Sequence, residues 1–155
     1  MAFDKAKAYL DSLGLTDRII VTEHSSATVA EAAEAIGCQE AMIAKTLSFL
    51  QEEKPVLILA DGTARIDNRK YKDRFECKAK MIPADMVEPL IGHSVGGVCP
   101  FGISEGVSVF LDESLRRHEI VYPAVGNDHS GVRLTIPELE KCSGALGWVD
   151  VCKQP

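Results

Sequence analysis

The five cysteines of this 155-residue chain include no C-x-x-C pair, so the framework of a zinc site or a disulfide-stapled secreted domain is missing. Their number is odd and their spacing wide (Cys38, Cys77, Cys99, Cys142, Cys152), which predicts scattered reduced thiols. Neither a metal nor a cofactor is expected. No apolar run reaches the length of a membrane span, so no membrane partner is expected. The N-terminal segment is charged and amphipathic and lacks a signal-peptide core, which leads to the expectation of a cytoplasmic protein. Internal repeats, low-complexity tracts and long linkers are absent too, and one domain over residues 1–155 is expected. A positive net charge is also lacking. At −6 the chain is a poor candidate for indiscriminate nucleic-acid binding, DNA included.

What is present is a globular composition, 46% hydrophobic and 26% charged, which excludes a disordered chain. The charge is unevenly spread. Between Arg65 and Lys80 seven basic residues face three acids, so this window is +4 and the remaining 139 residues carry −10. A compact basic patch on an acidic body can orient an RNA backbone, with Arg69, Lys70, Lys72 and Arg74 as its candidate contacts; a solvated helix face is the alternative.

Periodicity alternates between helix and strand. Helices are predicted over 3–13, from a Thr28 cap to Gly37, from Asp67 to Phe75, from Pro83 to Ile91 and from Pro137 to Cys142. Strands are predicted over 18–22, 42–50, 55–60, 107–111, 119–122, 132–135 and 148–151. One α/β or α+β domain follows, with a mixed sheet and surrounding helices.

Within the predicted strand Met42–Leu50, Ile43, Lys45, Leu47 and Phe49 share one face. An ammonium on an apolar face is costly unless it is paired, hydrogen-bonded or deprotonated. The pattern leaves a structural and a functional lysine both open. The loop from Gly92 to Gly102 holds Gly96 and Gly97, whose freedom at positive φ suits a concave site of backbone donors for a phosphate or an oxyanion. A tight turn would explain the same glycines. The segment Ala124–Gly131 is a turn between strands, where His129 either lines a pocket or faces solvent.

The ordered set Glu23-His24, Thr28–Gly37, Ile43-Ala44-Lys45-Thr46-Leu47, Gly92-His93, Gly96–Gly102 and Gly126 resembles the YbaK/EbsC-type prolyl-tRNA editing family. These are relatives of the editing insertion domain of bacterial prolyl-tRNA synthetase, and the resemblance spans about Val21 to Leu146. It implies that family's fold, a single domain with a mixed, largely antiparallel sheet surrounded by helices. It also implies hydrolysis of the ester between a wrong amino acid, alanine or cysteine, and the 3′ adenosine of proline tRNA. The family's functional lysine falls on Lys45, and its G-x-x-x-P loop on Gly96, Gly97, Val98, Cys99 and Pro100. Thr46, Leu47, Gly126 and His129 or a neighbour would complete the substrate site. tRNA is the implied partner, with prolyl-tRNA synthetase a further candidate.

Two departures stand out: cysteine at position 99, where many relatives carry serine, and Gly126-Asn127-Asp128-His129, where the YbaK type has a basic Gly-Lys-Arg-Gly turn. Two other readings stay open. One is a thiol hydrolase with Cys99 as nucleophile and His129 or His93 as base. The other is a non-catalytic module that binds tRNA or a synthetase.

Overall fold

The computed structural model describes residues 2–154. The chain enters as helix α1 (Ala2–Ser12), which buries Ala6 and Leu10, and passes through strand β1 (Ile19–Val21) to helix α2 (Val29–Ile36). Thr28 caps α2 by accepting from the Glu31 amide at 3.1 Å, and Gly37 ends it at φ 87°. Strands β2 (Ala44–Gln51) and β3 (Lys54–Asp61) form a hairpin across Glu52 and Glu53. Both turn residues take positive φ, the geometry whose twist matches flanking strands.

A short β4 (Arg65–Ile66) precedes α3 (Asn68–Phe75), whose first turn is held by the Asp67 carboxylate accepting from the Arg69 and Lys70 amides. Then come α4 (Ala84–Ile91), β5 (Ser108–Asp112), β6 (Ile120–Val121), β7 (Ser130–Val132) and β8 (Leu134–Thr135). Helix α5 (Ile136–Cys142), β9 (Gly147–Val149) and β10 (Cys152–Lys153) close the described chain. Among the described residues, no helix is long and apolar enough to cross a membrane.

The central sheet has the order β2-β3-β5-β9, antiparallel between β2 and β3 and parallel at its other two ladders. The parallel pairs follow from crossovers that carry helices, α3 and α4 before β5 and α5 before β9. Three small antiparallel ladders, β1–β7, β6–β8 and β4–β10, surround it. The mixed, mostly antiparallel α/β architecture expected from the sequence is therefore present. Two predicted strands differ. The stretch 132–135 splits at Arg133, because the chain leaves β1 for β6 there. The last predicted strand stops at Val149, and the Val151 amide donates to the Asp112 carboxylate at 2.9 Å, which turns the chain toward β4.

Side chains alternate across β3. Leu57 and Leu59 join Leu10, Val87, Ile91, Leu111 and Leu139 in one core, whereas Val56, Ile58 and Ala60 join Phe49, Tyr71 and Val149 in another beneath α3. The sheet thus separates basic helix α3 from most of the molecule. The chain from α3 returns along the outer edge of β2, where the Leu50 amide donates to the Lys80 carbonyl and the Ile82 amide to the Ser48 carbonyl. That edge borders the site.

Candidate active site

A cavity of about 310 Å³ opens between α2, the start of β2, α4 and the glycine-rich loop. Its walls are largely apolar, with Val29, Ala32, Ile36, Val87, Val98 and Ala124 prominent. Two hydroxyls break the pattern. Ser26 Oγ and Thr46 Oγ1 both belong to cavity-lining residues, are buried and have no hydrogen-bond partner among the described residues. An unpaired buried polar group is expensive, so a pair of them in one cavity marks where a polar ligand would be received. Sequence reasoning missed Ser26 because its neighbours across the cavity are remote in the chain; the only local signal was its place just before the α2 cap.

Lys45 borders this cavity as the second residue of β2. Its ammonium donates to the carbonyl of Gly62 at 3.4 Å and to that of Ala64. Burial pushes its pKa down, while Cys152 and Asp61 pull the other way. The turn that receives it is packed against the cavity wall: a Cβ on Gly62 would come within 2.8 Å of Val29 Cγ1.

Fully buried Asp61 anchors the same turn. Its carboxylate accepts from Thr63 N and Oγ1 at 2.7 Å each, from Arg117 Nη2 at 2.5 Å, and sits 2.7 Å from His118 Nε2. Burial raises its pKa, but the bonds from His118, Thr63 and Arg117 outweigh that and bring it down to about 2. No local pattern in the sequence signals this network.

The remaining candidates divide. Thr46, Gly96 and Val98 line the cavity with Lys45. Leu47 turns to the core beneath α3, as alternation along β2 requires. Gly97 lies behind the wall. A Cβ there would fall 2.6 Å from Gly126 C and from Asn127 N, so the two loops meet at this glycine. The Gly97 amide donates to the Ser94 carbonyl at 3.0 Å, within the loop's own turn. One of the donors expected to face a ligand is therefore already engaged.

Pro100 and Gly126 are buried in the support of this wall, and Gly126 takes φ 81° against the start of α1. His129 is exposed, with Nδ1 3.1 Å from Asp128 Oδ1, and does not line the cavity. Its neighbour Ser130 does, with its hydroxyl donating to Asn127 Oδ1 at 2.7 Å.

Cys99 has the histidine that thiol chemistry would need, yet in the wrong place. Its Sγ is 3.5 Å from His93 Nε2, and both residues are 0% exposed in the core. Burial pushes the thiol up to about 12, so no useful fraction is thiolate at neutral pH. His93 Nε2 is 2.6 Å from the Phe101 carbonyl, and burial lowers its pKa as well. The pair holds the loop together from inside.

On the far side of the sheet, Arg69 and Lys72 border a separate cleft with Asn68, Lys78 and Ala79. Lys70 and Arg74 do not border it. Among the described residues, no group of three or more His, Cys, Asp or Glu side chains is placed to hold a metal ion.

Comparison with known proteins agrees with this architecture. The chain is 47% identical over 132 residues to the Bacillus subtilis protein YwhH, covering 84% of each. It is 28% identical over 109 residues to the proline–tRNA ligase of Streptococcus sanguinis, a match spanning 70% of this chain but 17% of that longer enzyme. Its fold superposes with a TM-score of 0.87 on a solved structure described as a proposed trans-editing enzyme for prolyl-tRNA synthetase, at 27% identity and over 98% and 97% of the two chains. The model of the aminoacyl-tRNA editing domain matches residues 23–142, and the chain belongs to that family.

Proposed function

We propose that this protein is a trans-acting deacylase that hydrolyses the ester between a small amino acid and the 3′-terminal adenosine of a mischarged tRNA. Proline tRNA is the first candidate, since several relatives are proline–tRNA ligases. The observation that carries the reading is the pair of buried hydroxyls without a partner among the described residues, on Ser26 and Thr46, two residues that line a mainly apolar cavity bordered by Lys45. The cavity suits an apolar side chain as small as that of alanine or cysteine, and the hydroxyls suit the polar atoms around the ester.

In the proposed reaction a water oxygen adds to the ester carbonyl, the bond to the ribose oxygen breaks, and the amino acid and tRNA hydroxyl leave. Positioning and charge stabilisation suffice for an activated ester. Lys45 supplies the cation. The Gly62 and Ala64 carbonyls accept from its ammonium in the free protein, and the substrate's carbonyl or terminal phosphate would be its further partner. The Gly96–Val98 segment forms the wall against which the 3′ end lies. The cytoplasm, where tRNA is charged, is the proposed place of action, and prolyl-tRNA synthetase a proposed partner.

The thiol alternative has lost its chemistry, because Cys99 is shut in the core. A module that binds tRNA without cleaving it is separated by one experiment. Purified protein is given a panel of mischarged proline tRNAs, and the Lys45→Ala variant the same panel after its fold is checked by circular dichroism. Release of alanine or cysteine by the parent and at least a hundredfold loss in the variant are expected. A parent that releases nothing, or a folded variant with parental turnover, ends the reading.

A further inference from the structure

Helix α3 brings the basic window to one face, but its cations are not equivalent. Lys70 Nζ lies 3.1 Å from Asp150 Oδ1 and donates to the Cys152 carbonyl at 2.9 Å, so it ties α3 to the chain's last strand. The Arg74 guanidinium lies over the rings of Phe75 and Phe110, at 5.0 and 5.7 Å. Arg65, Arg69, Lys72 and Lys78 are exposed and make no ion pair among the described residues. Three of them, Arg69, Lys72 and Lys78, converge on a cleft of about 460 Å³.

A second, independent observation extends this surface. The β4–β10 ladder sets Arg65 directly opposite Lys153, also exposed and outside every ion pair among the described residues. Like charges facing each other across a ladder destabilise it. The neighbouring acid, Asp67, is engaged as the cap of α3. The fold therefore keeps a strip in which Arg65, Arg69, Lys72 and Lys78 are exposed without an ion pair among the described residues, with Lys153 beside them sharing the Asp67 charge, on an otherwise acidic body. An external anion would relieve it.

The character of the strip favours a polyphosphate over a protein. A protein interface is built around an apolar centre. None of the exposed large apolar side chains (Leu13, Val21, Met81, Met86, Val95, Leu146) belongs to the strip. From the cleft, Lys78 to Met81 lead along the outer edge of β2, where exposed Met81 lines the cavity mouth. A nucleic-acid backbone held on the strip is thereby aimed at the cavity.

We propose that the sugar–phosphate backbone of the tRNA acceptor region docks on Arg65, Arg69, Lys72, Lys78 and Lys153, with Lys70 and Arg74 serving the fold instead. The proposal rests on the deacylase reading for its substrate, and it changes the membership of the basic patch that the sequence alone suggested.

The test uses the full chain carrying Arg69→Ala, Lys72→Ala and Lys78→Ala together, with Lys141→Ala on α5 as a control on the other side of the sheet. Binding of uncharged proline tRNA is measured across a salt series. Hydrolysis is measured on mischarged tRNA and on the corresponding aminoacyl-adenosine, which lacks the backbone. Loss of three phosphate contacts should weaken tRNA binding at least about tenfold and flatten the log–log salt slope by about 2. The ratio of kcat/KM for tRNA to that for aminoacyl-adenosine should fall by a similar factor, and the control should move none of these.

Parental affinity and salt slope in the triple variant overturn the docking surface, while cleavage of the small ester leaves the deacylase reading intact. So does a variant that loses binding to purified prolyl-tRNA synthetase but not to tRNA, which would assign the strip to a protein. Salt-dependent tRNA binding that depends on the strip, with neither ester cleaved, supports the docking surface and sinks the deacylase reading.

Discussion

Asn127 runs so close to Gly97 that a Cβ on the glycine would lie 2.6 Å from its amide nitrogen and its α-carbon. Backbone atoms cannot swing aside as a side chain can. Gly97→Ala must therefore push apart two loops that contribute Gly96, Val98 and Ser130 to the cavity. Overpacking of this kind costs about 1–3 kcal/mol. Gly96→Ala meets a different obstacle: its Cβ would have ordinary contacts at 3.6 Å, but φ is 95°. Its cost of about 1–2 kcal/mol is backbone strain. Denaturant unfolding of both variants, with deacylation measured beside it, should show Gly97→Ala losing more activity per unit of stability. Equal losses would mean that the loop contact does not shape the cavity.

The buried Cys99 thiol leads to a chemical prediction. In the native protein a thiol reagent at neutral pH should modify the partly exposed Cys38 and Cys77 and leave Cys99 untouched until the chain unfolds. Cys99→Ser should keep deacylation within severalfold of the parent, since the serine hydroxyl can donate to the Phe101 carbonyl that the thiol now approaches. Peptide mapping of the modified sites checks the first part. Rapid native labelling of Cys99 with loss of activity would bring thiol catalysis back.

Asp61 gives a pH dependence of definite sign. Its carboxyl is held at about 2 in the folded chain against an ordinary value of 3.8, so the unfolded chain takes up its proton first as the pH falls. The resulting stabilisation, about 2 kcal/mol, is complete above pH 5 and is lost between about pH 4 and pH 2. Asp61→Asn should be less stable at neutral pH and should lack this part of the acid transition. It should also release the Gly62–Ala64 turn, and with it the anchoring of Lys45. Chemical denaturation at a series of pH values would expose the prediction, which fails if parent and variant lose stability in parallel below pH 4.

These residues show what was legible in the sequence. The caps were: Thr28, Asp67 and Gly37 act through atoms within four residues of themselves, so the helices they bound could be read locally. The hairpin around Glu52 and Glu53 was placed by two apolar runs on either side of a short polar turn. Lys45 drew attention because it broke an apolar alternation. What stayed hidden depends on distant meetings. Ser26 and Thr46 come to line one cavity, Gly97 meets Asn127, and Arg65 meets Lys153 only once β10 has paired with β4. Cys99 and His93 stand out in the sequence, yet spacing cannot say that both are walled in. Nor could the count of charges between Arg65 and Lys80 show that Lys70 and Arg74 are occupied within the fold.

Thr46 offers the sharpest separation of stability from function. Its Oγ1 is buried in the free protein without a partner among the described residues, and leaving such a group unsatisfied costs about 1–3 kcal/mol. Thr46→Val keeps the branched shape that suits β2 and removes only the orphan hydroxyl. The variant should therefore be as stable as the parent or up to about 1 kcal/mol more so. If the hydroxyl is kept for the ester, deacylation should fall by about tenfold to a hundredfold, the kinetic equivalent of one hydrogen bond of about 1.4–2.7 kcal/mol. Stability and activity thus move in opposite directions, which a purely structural hydroxyl would not produce. The same substitution in combination with Ser26→Ala should cost more than either alone, because both residues line one cavity. Thermal unfolding and steady-state hydrolysis of aminoacyl-adenosine provide the two readings. A Thr46→Val protein that is less stable, yet cleaves the small ester at the parental rate, would show that the hydroxyl serves the fold and that the ester is held by other groups.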